Sequence, residues 1–162
     1  MSEADKNLAR QVLTDPVHIL AFGFGSGLAP FAPGTVGSLL GVLLAWITRD
    51  MGLIPQIGGA VFLFVAGIWI CGESSRRLGH HDHGGIVWDE IVGMYVVLIV
   101  TPMTIWAWIL AFGLFRAFDI VKPWPIRDLD HRLGGGLGIM LDDLVAALYA
   151  ALLLVFLGRL MT

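Results

Sequence analysis

The chain has 162 residues, of which 57% are hydrophobic and 14% are charged, and its mean hydropathy is +0.81. Soluble globular domains carry about 25% charged residues, so this composition excludes an ordinary water-exposed surface and predicts an integral membrane protein. The net charge of −3 and the absence of a basic run argue against nucleic acid as a partner. The length suits one domain. We therefore divide the chain into a polar N-terminal segment, residues 1–16, and a single membrane-embedded domain, residues 17–162.

The predicted fold is all-α, a multihelical membrane bundle of about five helical segments with a polar site on its cytoplasmic side. Residues 1–16 are polar and predict a short solvated amphipathic helix or a frayed tail. The glycines and prolines between Phe22 and Pro33 are too dense for a regular helix, which predicts a re-entrant or interfacial loop. The first membrane helix is then expected to begin near Thr35, with the Thr35 hydroxyl as its N-cap, and to end near Thr48.

Small residues predict close packing of the first membrane helix on a neighbour. Gly37, Gly41 and Ala45 recur every four positions along the first helix, a spacing that in lipid favours close contact with a neighbouring helix. A second apolar helix is predicted over residues 57–71, which end at the chain's single cysteine. Because it has no second cysteine to pair with, we interpret Cys71 as a small packing residue.

An uncharged run from Ile91 to Phe115 predicts a helical hairpin. Pro102 lies in its middle, so either one kinked helix or two helices joined by a turn at Thr101–Thr104 fit the pattern. Asp89 and Asp119 flank the run, and in one continuous helix they would lie roughly 45 Å apart. Because isolated carboxylates in apolar surroundings are costly unless they share a site, we favour the hairpin, which brings both to one side of the membrane.

The last helix is predicted over residues 139–158 and is entered through Asp142 and Asp143. With five crossings, the basic residues concentrate on one side of the membrane, and the positive-inside rule places that side in the cytoplasm. The candidate polar site falls on the same side. The cytoplasmic side would hold Lys6, Arg10, Arg76, Arg77, Lys122, Arg127 and Arg132, and the opposite side Arg49 and Arg159.

Five carboxylates at the predicted helix ends are candidate metal ligands. Oxygen ligands suit Mg²⁺, which takes one or two carboxylates together with water and phosphate oxygens. The alternative is that helix dipoles favour acids at N-termini. That alternative explains one acid at each helix entrance, but not the adjacent pairs, nor Asp119, which follows an apolar run. The candidate ligands are Asp89, Glu90, Asp119, Asp142 and Asp143.

Basic side chains and a glycine-containing turn near these acids predict a phosphate site. Anchoring of the basic side chains on anionic lipid is an alternative that needs no specific geometry. The turn PGTVGS, residues 33–38, starts a helix, and backbone N–H groups at a helix N-terminus can approach a phosphate. The candidate phosphate-binding residues are Gly34, Thr35, Ser38, Arg116, Lys122 and Arg127.

The histidines of the loop HHDHGG are the remaining polar feature. His80, His81 and His83 lack the i, i+4 spacing of a helical zinc pair, so we interpret the first two as part of a polar surface loop. His83 is a candidate proton-transfer group. A small multi-pass cation or proton transporter is a rival function of a different class, but no inverted repeat is evident and the acids fall on one face.

Three blocks of the sequence together resemble the phosphatidylglycerophosphatase A family: GFGSGLAPFAPGTVGSLLG, HDHGGIVWDEIVGM and FRAFDIVKPWPIRDLDHRLGGGLGIMLDD. The resemblance implies a multihelical, Mg²⁺-dependent lipid phosphatase of the bacterial inner membrane. It would convert the membrane lipid phosphatidylglycerophosphate to phosphatidylglycerol and phosphate. A phosphatase for another lipid phosphate, such as phosphatidate, is the alternative enzyme.

On this hypothesis the five candidate carboxylates hold Mg²⁺, and one of them is the base for an attacking water. Arg116 and Lys122, with backbone N–H groups near Thr35, would hold the phosphate. A covalent aspartyl-phosphate is left open.

Overall fold

The computed structural model describes residues 3–79, 83–124, 126 and 133–160, and over these ranges the chain is helical without a strand. The all-α prediction is confirmed. The prediction of about five helical segments was wrong, because further helices precede the predicted first one. Two 3-10 segments lie at Gly23–Leu28 and Arg49–Met51. The described α-helices are α1 (Glu3–Thr14), α2 (Pro16–Ala21), α3 (Pro33–Thr48), α4 (Leu53–Leu78), α5 (Trp88–Ile99), α6 (Ile105–Val121) and α7 (Gly135–Leu160).

The polar N-terminal segment is helical. It forms α1, and Asp15 then caps the start of α2. The Asp15 Oδ1 atom accepts a hydrogen bond from the Val17 backbone N–H at 2.9 Å. Pro16 follows at the first helical position, where its missing N–H has no consequence. Val12 of α1 is fully buried. Of the two alternatives predicted for this segment, the amphipathic helix is therefore confirmed over α1, and the frayed tail was wrong there.

Between α2 and α3 the chain departs from regular helix, as its glycines and prolines predict. Phe24 and Gly25 have positive φ angles of 57° and 96°. The prediction of Thr35 as N-cap was wrong: α3 begins at Pro33 after the N-cap Ala32, and the Thr35 N–H donates to the Ala32 carbonyl at 2.9 Å. The helix starts early because the fixed φ of proline suits the first helical position.

The predicted small-residue face of α3 packs directly on α5. A Cβ added at Gly37 would lie 2.7 Å from the Cβ of Val87, and one added at Gly41 would lie 2.8 Å from the Cβ of Met94. Ala45 continues the face and is buried. Helix α5 also contacts α4, α6 and α7, so it is the central helix of the bundle. Its buried apolar residues are Trp88, Ile91, Val92, Met94, Tyr95, Val97 and Leu98.

The predicted hairpin between α5 and α6 is confirmed. Helix α5 ends at Ile99 and α6 begins at Ile105, so the turn lies where Pro102 interrupts the apolar run. The Thr104 side chain caps α6 by accepting a hydrogen bond from the Ala107 N–H at 3.3 Å. Consequently the start of α5 and the end of α6 lie at the same end of the molecule.

Helices α4 and α7 are long and apolar enough to cross a membrane, at 26 and 25 residues over the candidate spans. They are longer than the predicted 57–71 and 139–158. The two helices pack closely at Gly136. A Cβ added there would collide with the Ile68 carbonyl and approach the Gly72 nitrogen. Cys71 is buried at this contact, 3.8 Å from the Met140 sulfur, which agrees with its interpretation as a packing residue.

Candidate metal and phosphate site

Three helices bring the five candidate carboxylates together at one end of the bundle. Helix α5 supplies Asp89 and Glu90 in its first turn. Helix α6 supplies Asp119 near its C-terminus, and α7 supplies Asp142 and Asp143. The side chains of Glu90 and Asp119 are 14% and 12% exposed, and the other three residues are buried. The α5–α6 hairpin brings the first three acids to one end, and the packing of α7 against α5 and α6 adds the other two.

The carboxylates form two groups of three, which we call the first triad and the second triad. The first triad is Asp89, Asp142 and Asp143, and the second triad is Glu90, Asp119 and Asp143. In each triad, one oxygen from every side chain lies within 4.8 Å of the others. Asp143 belongs to both. This arrangement of oxygen atoms is one in which a divalent cation can be held.

Asp142 and Asp143 were predicted to lie at the entrance of their helix, and that prediction was wrong. Helix α7 begins at Gly135, so both acids lie about two turns inside it, and its first turn contains no acid. The favourable interaction of an acid with the helix dipole falls off within the first turn. The dipole therefore accounts for Asp89 and Glu90, but it does not explain why the other three acids are buried here.

Arg116 lies between two of the carboxylates of the second triad. Its Nη1 atom is 2.5 Å from the Asp119 Oδ2 atom and 3.8 Å from the Glu90 Oε1 atom. The Arg116 side chain is 14% exposed, so these interactions are formed largely out of water. The spacing of Arg116 and Asp119 at i, i+3 on α6 places both side chains on the same face of the helix.

Lys122 forms an ion pair with a carboxylate of the first triad, as Arg116 does with carboxylates of the second. It is the C-cap of α6 and has a left-handed backbone, with φ 45°. Its Nζ atom lies 2.6 Å from the Asp142 Oδ2 atom. Each triad therefore has its own basic side chain, Arg116 from within the C-terminal half of α6 and Lys122 from its C-cap.

The N-terminus of α3 closes one side of the second triad. Gly34 is buried, and a Cβ added to it would collide with the Glu90 Oε1 atom and lie 3.1 Å from the Arg116 Nη1 atom. Ser38 is fully buried, and its hydroxyl donates to the Gly34 carbonyl at 2.8 Å. The Thr35 N–H is used within the first turn of α3. Gly34 thus contacts the charged groups directly, whereas Ser38 lies behind it.

The donor set fits a hard divalent cation. The two triads contain only carboxylate oxygens, the ligands that Mg²⁺ prefers. Asp143 is 3% exposed, and its Oδ2 atom has no hydrogen-bond partner within the part of the chain that the structure describes. If all five acids are ionised, they exceed Arg116 and Lys122 by three negative charges. A buried charge excess of this size is relieved either by protonation of some of the acids or by bound cations.

The remaining residues singled out from the sequence are Arg127 and the loop histidines. Arg127 and the pair His80 and His81 fall outside the described residues. His83 is described, and its Nδ1 atom accepts a hydrogen bond from the Gly85 N–H at 3.1 Å while its ring lies 5.5 Å from that of Phe22. The sharing of Asp143 between two triads was not predicted, because no local sequence pattern encodes it.

Comparisons with known proteins agree along most of the chain. The family model described as Phosphatidylglycerophosphatase A matches residues 19–158. The Phosphatidylglycerophosphatase A of Haemophilus influenzae is 49% identical over 147 residues, which cover 86% of this chain and 87% of the relative. That of Escherichia coli is 42% identical over 157 residues, 93% of this chain and 88% of the relative. A Putative phosphatidylinositol-3-phosphatase of Bacteroides thetaiotaomicron is 39% identical over 144 residues, 84% of this chain and 89% of the relative. No solved structure matches the chain.

Proposed function

The chain belongs to the phosphatidylglycerophosphatase A family, and we propose that it hydrolyses the terminal phosphomonoester of phosphatidylglycerophosphate. The products are phosphatidylglycerol, a membrane phospholipid, and inorganic phosphate. The observation that carries this proposal is the buried cluster of five carboxylates with two basic side chains, which lies entirely within the residues that match the family. A cluster of this composition suits a phosphate ester and a divalent cation together.

Mg²⁺ is the proposed cofactor, and the carboxylates of both triads are its proposed ligands. When bound, a divalent cation of this kind neutralises phosphoryl oxygens and lowers the pKa of a bound water. The oxygen-only donor set and the buried, unpaired Oδ2 atom of Asp143 support this assignment. One carboxylate of the cluster is the proposed base that takes the proton of the attacking water.

Arg116 and Lys122 are the proposed phosphate-binding side chains. Both are already held by carboxylates, at 2.5 Å from Asp119 and at 2.6 Å from Asp142, so their charges are positioned before a substrate arrives. That positioning lowers the entropic cost of orienting the reacting groups. Arg127, five residues beyond Lys122, is proposed as a further basic contact.

The turn at the start of α3 is proposed to form the wall of the phosphate site. Gly34 lies so close to Glu90 and Arg116 that any side chain at this position would displace the Glu90 carboxylate. Thr35 follows it in the first turn, where the positive end of the helix dipole favours an anion. Ser38 supports this wall from behind, because its hydroxyl donates a hydrogen bond to the Gly34 carbonyl.

We place the protein in the bacterial inner membrane as a multi-pass protein, with the site facing the cytoplasm. Helices α4 and α7 are long and apolar enough to cross a membrane, and apolar side chains such as Phe62, Trp106 and Leu152 are exposed on the outside of the bundle. Exposed apolar surface of this extent fits contact with lipid. Trp124, two residues after Lys122, is also exposed, as suits a headgroup-level residue.

Two rival functions can be weighed against the structure of the carboxylate cluster. A transporter requires polar groups along a path through the membrane, whereas the described carboxylates of the cluster gather at one end. A phosphatase for another lipid phosphate uses the same chemistry, and the Bacteroides thetaiotaomicron relative is named for such a substrate. Substrate choice therefore has to be tested directly.

The test is phosphate release by the purified protein in detergent, with phosphatidylglycerophosphate, phosphatidate and phosphatidylinositol 3-phosphate compared in parallel. We expect release from phosphatidylglycerophosphate with Mg²⁺, its loss with EDTA and its return when Mg²⁺ is added in excess. Asp119→Asn and Asp142→Asn should abolish turnover while the protein stays folded. Asp50→Asn, an exposed acid outside the cluster, is the control. Full activity in both site variants would contradict the assignment.

A further inference from the structure

We infer that the end of the bundle opposite the carboxylate cluster binds a phospholipid, and that Arg49, Tyr95 and Trp108 donate hydrogen bonds to the oxygens of its phosphodiester group. This second site takes no part in the proposed hydrolysis. It rests on the proposed function in one respect only, which is the placement of the bundle across the membrane with the carboxylate cluster on the cytoplasmic side.

The second site is a cavity of about 150 Å³ between the end of α3, the start of α4 and the turn of the α5–α6 hairpin. Helix α3 begins at the carboxylate cluster, and its 16 residues place its far end about 24 Å away. Met103 lines the cavity and is 60% exposed, so the cavity opens to the surface. Its volume is well above the roughly 10–15 Å³ that one water molecule requires, so it admits a larger polar group.

Trp108 brings an unused hydrogen-bond donor to this cavity. The residue lines the cavity, and its Nε1 atom is buried without a hydrogen-bond partner among the residues that the structure describes. A buried indole N–H usually finds an acceptor, because an unpaired one carries the cost of its desolvation. An oxygen atom of a ligand in the cavity would supply that acceptor.

The Tyr95 hydroxyl is a second donor, and its present hydrogen bonds are long. Tyr95 is buried and lines the cavity. Its hydroxyl oxygen lies 3.2 Å from the Thr48 hydroxyl and 3.5 Å from the Gln56 carbonyl oxygen, whereas hydroxyl-to-oxygen bonds usually measure about 2.5–3.0 Å. The hydroxyl can therefore turn to a better acceptor. Thr48 would keep its own hydrogen bond to the Leu44 carbonyl at 2.9 Å.

Arg49 supplies positive charge at the same cavity. Its guanidinium carbon lies 4.8 Å from the centre of the Trp46 ring, which holds the side chain in place. The Arg49 Nε atom lies 3.3 Å from the Asp50 carboxylate, but the Asp50 side chain is 85% exposed, so this ion pair is weak. A guanidinium beside two uncharged donors is suited to phosphate oxygens, which accept several hydrogen bonds at once.

The surroundings of the cavity favour a phospholipid over a free anion. Trp46 and Met103 lie beside the bound position and are 53% and 60% exposed, and Trp106 of the same end is 78% exposed. Tryptophan is enriched where a membrane meets water. In the proposed orientation this end lies in the outer leaflet, whose headgroups present phosphodiesters at this depth. The acyl chains of a bound lipid would cover the apolar side chains, which a free anion cannot do.

The test uses dioleoyl phosphatidylcholine, a phosphodiester lipid that is neither the proposed substrate nor its product. The full chain is purified in detergent and titrated with this lipid. Native mass spectrometry counts the lipids retained per chain, and the thermal midpoint is measured in parallel. We expect one retained lipid and a raised midpoint. Dioleoylglycerol, which has the same chains without the phosphate, and inorganic phosphate, which has no chains, should give neither effect.

The variants remove the proposed donors one at a time. Arg49→Gln should weaken retention of the lipid by about 10–100-fold, as expected for a hydrogen bond to a charged group, and Trp108→Phe by roughly 2–10-fold, as expected for a neutral one. Trp106→Phe is the matched control, because Trp106 lies at the same end of the bundle but does not line the cavity. It should retain the lipid as the unsubstituted protein does.

Equal retention of dioleoylglycerol, or unchanged retention in both Arg49→Gln and Trp108→Phe, would overturn the inference. Stabilisation by inorganic phosphate that is lost in Arg49→Gln would indicate a site for a free anion and would overturn the assignment to lipid.

Phosphate release separates this inference from the proposed function. Arg49→Gln and Trp108→Phe should still hydrolyse phosphatidylglycerophosphate in detergent, which also shows that they are folded. Lys122→Met should lose activity but retain phosphatidylcholine. Retention of the lipid by a protein that does not hydrolyse phosphatidylglycerophosphate would contradict only the proposed function, and hydrolysis without retention would contradict only the second site.

Discussion

Two charged clusters of this molecule contain the same kinds of side chain but differ in their charge balance. The outer cluster consists of Asp15, Glu73, Arg76 and Arg77, and it joins the start of α2 to the end of α4. Arg77 lies 2.6 Å from Asp15 and 2.7 Å from Glu73, and Arg76 also lies 2.7 Å from Glu73. Two acids are thus matched by two bases, and Arg76 is 73% exposed.

The carboxylate cluster formed by α5, α6 and α7 differs from the outer cluster in both charge balance and burial. It contains five acids and two bases, and Asp89, Asp142 and Asp143 are buried. An exposed, balanced cluster is complete by itself and contributes little to stability. A buried, unbalanced one has to take up protons or bind cations. Charge balance and burial, rather than the presence of ion pairs, therefore separate the proposed site from a structural cluster.

The largest expected effect is the loss of Asp143. Asp143→Asn should lower kcat/KM for phosphatidylglycerophosphate by more than the roughly 10–100-fold that the loss of an outer-shell metal partner costs, because Asp143 belongs to both triads. The matched change in the outer cluster is Glu73→Gln, which should leave kcat/KM nearly unchanged. Phosphate release at several substrate concentrations gives both values. Equal losses in the two variants would remove the distinction between the clusters.

A smaller effect is expected for Lys122→Met, which keeps much of the side chain's length but removes its charge. Lys122 pairs with Asp142 at 2.6 Å, and a hydrogen bond to a charged group contributes about 1.5–3 kcal/mol. We therefore expect kcat/KM to fall by about 10–100-fold. The corresponding change in the outer cluster, Arg76→Met, should not alter kinetics. Unchanged kinetics in Lys122→Met would exclude the residue from phosphate binding.

A still smaller effect should follow from a single methyl group at the wall of the site. In Gly34→Ala the new Cβ collides with the Glu90 carboxylate, so Glu90 has to move and activity should fall by about tenfold, equivalent to ~1.4 kcal/mol. Gly113→Ala is the control, because among the described residues a Cβ there meets no atom within 4 Å beyond its own stretch of helix. It should retain activity and stabilise α6 by roughly 0.5–1 kcal/mol. Full activity of Gly34→Ala would show that the wall is adaptable.

The smallest effect concerns stability and pH, and it belongs to the outer cluster. Burial opposes ionisation of Asp15, but the Val17 N–H and the Arg77 guanidinium together lower the pKa of its carboxyl below the usual 3.8. A lowered pKa in the folded state means that the ionised form stabilises the fold above pH 3.8 and that this stabilisation is lost as the pH falls further.

Asp15→Asn tests this point, because asparagine keeps the cap to Val17 but loses the charge. At pH 7 the variant should be less stable than the unsubstituted protein by at most about 1 kcal/mol. The difference in thermal midpoint should shrink as the pH is lowered below the normal pKa of an aspartate. A difference that stays constant with pH would mean that the Asp15–Arg77 pair does not contribute through charge.

Much of the helical layout could be predicted from the sequence. The hairpin followed from the cost of leaving Asp89 and Asp119 on opposite sides of a membrane, and the close packing of α3 on another helix followed from the spacing of Gly37 and Gly41. Both predictions use periodicity and the cost of burying charge, which are properties of a local stretch. They did not require knowledge of which helices become neighbours.

The rest depended on contacts between distant parts of the chain. The last helix was predicted to begin at residue 139, yet α7 begins at Gly135, where Gly136 allows α7 to approach Ile68 of α4. As a result Asp142 lies about one turn deeper in its helix than predicted. The i, i+3 spacing of Arg116 and Asp119 was visible and would have indicated their ion pair.

The shortness of the inner helices has a consequence for the lipid around the protein. Helices α3, α5 and α6 contain 16, 12 and 17 residues, which correspond to about 24, 18 and 26 Å, whereas the hydrocarbon core of a bilayer is about 30 Å thick. In the proposed multi-pass arrangement, a bundle built on these lengths would favour a locally thinned bilayer. The acyl-chain length of the surrounding lipids should therefore tune turnover, and the enzyme would respond to the thickness of the membrane whose composition it helps to set.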